Sequence, residues 1–229
     1  MVETARHRVN GILLSVTSRM PERSVHTPVV LVPGTGATAA DWDIVAEDLS
    51  LDRTVHALDL RGHGQSEWPG TYSIELMAQD LVGLIAKMAG EVDIIGHSLG
   101  GLVACRALAA DDPPAVRRLV LEDVGLPRPR VLARPARPEG KLDFDWAMVE
   151  QIRSEIDRPA AHWPDTLSRV APRTLAISGG PGSFLPGEQV TDLVALVQRG
   201  SHLTIEAGHE IHAAQPAEFM RAVRAFLDT

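Results

Sequence analysis

The tightest constraint on this chain is six residues long: Gly96-His97-Ser98-Leu99-Gly100-Gly101. An apolar run, Val92–Ile95, leads straight into it, and a small, apolar stretch from Ser98 to Ala110 leads straight out. A serine between glycines at that spacing, after a buried strand and before a helix, has the form of a nucleophile elbow. The turn is sharp and strains the serine backbone, so its neighbours have to be small. The hydroxyl then projects from the end of the sheet. The amide of Leu99, at the helix N-terminus, points to where an oxyanion would develop. The competing reading is a glycine-rich turn that merely caps a helix. It is the weaker one, because strand, turn and helix fall in register.

The rest of the chain supplies the sheet that such an elbow needs. Val29-Val30-Leu31-Val32, bounded by prolines, predicts a strand covered on both faces. Further strands are expected at Thr54–Leu58, Val92–Ile95, Arg118–Leu121, Thr174–Ile177 and Leu203–Glu206. Val9, Ile12, Leu14 and Val16 around Asn10-Gly11 predict an antiparallel edge hairpin. Apolar residues at helical spacing predict helices over Asp41–Leu49 and Ile74–Met88, and a last one from Pro216 to Leu227. The fold class expected is α/β, a mostly parallel central sheet of about eight strands with helices on both faces. Between Gly125 and Lys141 the prolines at 127, 129, 135 and 138 exclude a regular helix. Two helices, Trp146–Ile156 and Pro159–Ser168, are expected to follow. Residues 125–170 thus read as a small lid or insertion after the sixth strand, within a single domain spanning 1–229.

Composition narrows the function classes. A chain of 229 residues is long enough to bury a substantial core. Its net charge of −8 disfavours a nucleic-acid or anionic-membrane partner. No run approaches the roughly 20 apolar residues that cross a bilayer, and the polar start has no signal-peptide pattern. A cytoplasmic location is expected. The one cysteine, Cys105, forms no internal disulfide, and no Cys/His spacing matches a zinc site. No metal or organic cofactor is expected.

Four segments together resemble the α/β-hydrolase superfamily. They are Val32-Pro33-Gly34-Thr35 with Trp42 downstream, Asp59-Leu60-Arg61-Gly62-His63-Gly64-Gln65-Ser66, the elbow, and Ala207-Gly208-His209. They occur in the family's order, and the resemblance covers almost the entire chain. It implies that Ser98 is the nucleophile and His209 the general base, with an unperturbed pKa near 6.5 suited to moving the serine proton. It also implies that the amide of Thr35 joins that of Leu99 in the oxyanion hole; the family's His-Gly pair stands here as Pro33-Gly34, which a backbone donor tolerates. Among the other histidines, His212 could brace the loop or touch substrate. His97 and His63 suit orientation or hydrogen bonding, with His97 also a candidate substrate contact, and His202 suits the surface.

The acid is where the chain departs from its relatives. Many of them carry an aspartate in a Gly-x-x-Asp turn after the strand that is here Thr174–Ile177, and that position falls on Gly182. No carboxylate appears before Glu188, and Ser183 could accept a hydrogen bond but not balance an imidazolium charge. Some family members, haloalkane dehalogenases among them, place the acid one strand earlier, where this chain has Glu122-Asp123. Asp123 is the favoured acid. Glu122, or a serine–histidine dyad without an acid, stays open. A serine nucleophile disfavours dehalogenase and epoxide hydrolase activity.

The resemblance implies a serine hydrolase acting on a small carboxylic ester, lactone or thioester through an acyl-enzyme. Alternatives are a C–C bond hydrolase, lyase or acyltransferase at the same site, or a non-catalytic ligand-binding protein on a degenerate scaffold. The partner expected is a small acyl substrate. Trp146 and Trp163 are the candidate pocket-lining tryptophans. Arg128, Arg130, Arg134 and Arg137 read as a solvated loop, with an anionic substrate such as a coenzyme A thioester as the sharper option.

Overall fold

A computed structural model describes residues 1–131 and 135–229. Asn10 and Gly11 take positive φ, 44° and 80°. That is the two-residue turn whose twist suits a hairpin, and it folds Val2–Val9 (β1) onto Ile12–Arg19 (β2). The sheet continues with Val29–Val32 (β3), Val55–Leu58 (β4), Val92–His97 (β5), Val116–Glu122 (β6), Arg173–Ser178 (β7) and Arg199–Thr204 (β8). Eight strands lie in the order β1-β2-β4-β3-β5-β6-β7-β8. The first two pairings are antiparallel and the rest parallel. This agrees with the fold class read from the sequence, and β5, which leads to Ser98, lies near the middle of the sheet.

Alternate residues of a strand face opposite sides, and two cores result. Val30 and Val32 of β3, with Ile94 and Leu121, bury against Ile74–Ile85 (α2), Leu99–Leu108 (α3), Trp146–Asp157 (α4), Trp163–Ser168 (α5) and Gly187–Leu196 (α6). Val29 and Leu31, with Ile95, Val120 and Ile177, bury against Asp43–Leu49 (α1) and Pro216–Leu227 (α8). The glycine at 100 has a steric reason: a Cβ there would lie 2.3 Å from the carbonyl oxygen of Val32. Only without it can α3 press against the strand ends.

Several boundaries differ from the sequence reading. The final strand is Arg199–Thr204, not Leu203–Glu206. All six of its residues are exposed, so no apolar run marks this edge strand. The helix expected from Pro159 begins at Trp163, with Pro164 in the first turn, where a missing N–H costs nothing. The Asp41–Leu49 helix is a 3₁₀ turn, Ala39–Trp42, running into α1. Neither α6 nor the single turn Ile211–Ala214 (α7) was marked by a long apolar periodicity. Two buried residues, Val190 and Leu193, hold α6 to the core.

Candidate active site

The site sits where β5, β6 and β7 end. Ser98 follows β5 with φ 49° and ψ −116°, backbone angles that a non-glycine residue adopts only under constraint. Its amide donates to the carbonyl of Glu122 at 3.0 Å, tying the elbow to the end of β6. Asp123 comes next, also with positive φ, 49°. Its amide donates to Ile177 at 2.8 Å.

The Asp123 carboxylate is buried and fully engaged. Oδ2 meets Nδ1 of His209 at 2.7 Å. Oδ1 accepts the amide of Gly179 at 2.8 Å, and the Ser183 hydroxyl donates to Oδ2. Ser183 therefore serves the carboxylate as a donor rather than acting as an acceptor for the base. Glu122 turns the other way and meets His212, so the two neighbouring carboxylates address different histidines.

His209 lies in the loop after β8, its side chain 22% exposed. The amides of Ala207 and Gly208 donate to Gly179 at 3.1 and 3.0 Å. Nε2 of His97 donates to the carbonyl of His209 at 3.0 Å. The His97 and Phe184 rings lie 4.6 and 4.2 Å from the His209 ring, centroid to centroid. Among the described residues the Ser98 hydroxyl makes no hydrogen bond, and neither does Nε2 of His209. Ser98, His209 and Asp123 all line one cavity of about 470 Å³.

Thr35 and Leu99 line the same cavity. The Leu99 amide, first in α3, has no intrahelical acceptor, and the Thr35 amide has no partner among the described residues. The Thr35 loop is held from behind. Gly36 donates to Nε2 of His63 at 3.0 Å, Nδ1 of His63 meets the Arg61 carbonyl at 3.1 Å, and Ala39 donates to Asp59 at 2.8 Å. Burial pushes the pKa of His63 below its ordinary value, outweighing its hydrogen bonds to backbone and the Asp59 charge. A neutral ring with its proton on Nδ1 is what this bonding needs. His97 is likewise held low, first by burial.

The remaining cavity wall is mainly apolar, with Leu102, Val124, Phe144, Trp146, Val149, Ile156, Phe184 and Leu185, and His97, Arg153, Gln189 and Glu210 add polar groups to it. Trp146 is there as expected. Trp163 is not; it is buried in the core with Leu167 and Val170, where α5 packs against α3 and α6. Arg128 and Arg130 line the cavity but pair with Asp192 and Asp157. Arg137 is exposed, and Arg134 lies outside the described residues. Cys105 is fully buried, its thiol pushed up to about 12 by burial. Phe144, Phe184 and Leu185 were not singled out in the sequence. All three lie outside regular helices and strands, where periodicity gives no signal. Among the described residues no group of three or more His, Cys, Asp or Glu side chains is placed to hold a metal ion, and no helix is long and apolar enough to cross a membrane.

Residues 27–178 match the family model described as alpha/beta hydrolase fold. Esterase Rv0045c of Mycobacterium tuberculosis is 30% identical, over 88% of this chain and 83% of its own length. Esterase YbfF of Escherichia coli is 25% identical, over 89% of this chain and 94% of its own. In fold, the chain resembles the crystal structure of E-2-(acetamidomethylene)succinate hydrolase, with a TM-score of 0.81, 19% identity and full coverage of both chains.

Proposed function

Because this chain belongs to the alpha/beta hydrolase fold family and is an ester-acting hydrolase, we propose that it cleaves a small carboxylic ester, lactone or thioester through an acyl-enzyme on Ser98. His209 is the general base and Asp123 its acid. The observation that carries this reading is the 2.7 Å contact between Asp123 and His209 above the cavity that Ser98 lines. Asp123 holds the proton on Nδ1, which leaves Nε2 free to take the proton of Ser98. In substrate-free sites the nucleophile–base bond is commonly loose and tightens in the complex, which accounts for the unbonded Ser98 hydroxyl.

The cycle follows from the parts. Ser98 attacks the acyl carbonyl as its proton passes to Nε2 of His209, and the imidazolium is balanced by Asp123. The oxyanion is received by the amides of Leu99 and Thr35, the former at a helix N-terminus. His209 returns the proton to the leaving alcohol or thiol. Water then attacks the acyl-enzyme with His209 again as base, and the acid is released. Side chains and amides handle every proton and charge, so the scheme calls for no metal or organic cofactor. The described part of the segment between β6 and β7 acts as a lid: Trp146, Val149 and Ile156 form its apolar wall against the acyl group. His97 holds His209 through its carbonyl and also lines the cavity, within reach of a substrate.

A fluorophosphonate probe tests the reading. Wild-type protein is expected to carry one adduct, on Ser98, with none in Ser98→Ala and very slow labelling in His209→Ala. Wild-type labelling no faster than that of Ser98→Ala would return the chain to the ligand-binding alternative. A panel of matched esters, lactones, thioesters and β-diketones then assigns the bond cleaved.

A further inference from the structure

The end of β6 delivers two consecutive carboxylates, and the proposed cycle uses only the second. Glu122 keeps the strand's alternation with Val120 and so points toward the α1–α8 side of the sheet. There its Oε1 accepts the backbone amide of His212 at 2.7 Å, and both its oxygens lie 2.8 Å from Nδ1 of His212. The two side chains are 0% and 7% exposed. The His212 ring stacks on Trp42, centroids 4.4 Å apart, with Phe219 at its edge. Neither residue lines the catalytic cavity.

A buried carboxylate and imidazole are an expensive way to fill a core, since apolar residues of similar volume would pack as well. What the pair supplies is direction. His209 and His212 belong to one short segment, and each is pinned by one of two adjacent carboxylates. His97 spans the two: its ring lies 4.6 Å from that of His209 and 5.7 Å from that of His212, and it bonds the His209 carbonyl. Asp123, His97 and the Gly179 carbonyl hold the segment at His209 and before it. Glu122, holding both the amide and the ring of His212, fixes the segment on the far side of the base as well.

We propose that Glu122 and His212 are positioning residues, a second buried acid–histidine pair that fixes the segment carrying the His209 base. The inference rests on His209 being that base. Burial favours a neutral His212, but the hydrogen bond and charge of Glu122 outweigh it and hold the imidazole above its ordinary pKa.

The test compares kcat, KM and the rate of Ser98 phosphonylation across Glu122→Gln, Glu122→Asp, His212→Phe and His212→Asn. Misplacing a reacting group by an ångström can cost as much as about 100-fold, so Glu122→Gln and His212→Phe are each expected to lower kcat and labelling by about tenfold or more. KM should stay within about threefold. The double variant should be no worse than either single one, because the two act as a unit. His212→Asn keeps an N–H for Glu122 and should retain most activity. Glu122→Asp keeps the buried charge but withdraws it by one methylene, and should still lose about threefold or more. Wild-type kcat in folded Glu122→Gln, His212→Phe or Glu122→Asp overturns the proposal, whatever happens to Tm. Failure of the wild type to label at Ser98 removes the hydrolase mechanism and this inference with it. Normal labelling that is indifferent to Glu122 removes this inference alone.

Discussion

Ser98 and Asp123 share a positive φ, which side chains avoid. Asn10, in a hairpin turn, is the one other described non-glycine residue with positive φ. Such strain persists where surrounding bonds over-determine it, and here the bonds are visible: the Ser98 amide on Glu122 and the Asp123 amide on Ile177. The relocated acid makes a sharp prediction. Asp123→Asn should reduce acylation by about 10⁴-fold, the scale for losing the imidazole orienter of a serine triad. Gly182 marks the position the acid holds in many relatives, and a Cβ there would lie no nearer than 3.5 Å to Gly208, ordinary contact distance. Adding Gly182→Asp to Asp123→Asn should therefore recover a measurable part of the lost rate in single-turnover assays. No recovery would mean that the Gly182 turn does not present a carboxylate to His209.

At the scale of elements, the site is a junction of strand ends, and Gly179 is its crossing point. Its amide donates to Asp123, while its carbonyl accepts from Ala207 and Gly208. A Cβ at 179 would lie 1.8 Å from the carbonyl oxygen of Gly208, and backbone cannot yield cheaply. Gly179→Ala should displace the His209 segment, lowering kcat by up to about 100-fold with a smaller change in KM. The same clash should reduce unfolding free energy by about 1–3 kcal/mol in urea titrations. Full activity would show that the segment is positioned without this crossing. This junction also explains what the sequence revealed. Strands buried on both faces, such as Val29–Val32, announce themselves as apolar runs, and the elbow announces itself by its glycines. The exposed strand Arg199–Thr204 carries no such run, and Phe184, exposed yet packed on His209, has no periodic neighbour to flag it. Asp123 could be favoured over Glu122 by motif position, but the partner of Glu122 needed the fold: His212 lies 90 residues away in sequence.

Across the whole molecule, histidines buried at the site and on the sheet set how stability answers to pH. His63 and His97 are held below their ordinary value of 6.5, chiefly by burial, and so is His56 in β4. A lowered folded-state pKa means that the unfolded chain takes up more protons as pH falls through about 6.5, so these three groups oppose folding in acid. His212 has the opposite sign. Its pKa is raised, so its contribution is complete below 6.5 and disappears as pH rises through its folded value. Below about pH 6.5 the three lowered groups therefore act while His212 adds nothing further, and stability should fall from about pH 6 to 5. In a chain of this size each kcal/mol lost moves Tm by about 2–4 °C, which scanning calorimetry at pH 7.0, 6.0 and 5.0 would resolve (with about equal ionic strength at each point). His63→Gln can still accept from the Gly36 amide but has no ring to charge, so its Tm should decline less steeply over the same interval even if it starts lower. A Tm that is flat or rising toward pH 5 in the wild type would mean that His63 and His97 bind protons in the folded state. The Gly36 bond, which requires His63 to be unprotonated at Nε2, would then need to be redrawn, whereas His97 would still donate to the His209 carbonyl as an imidazolium.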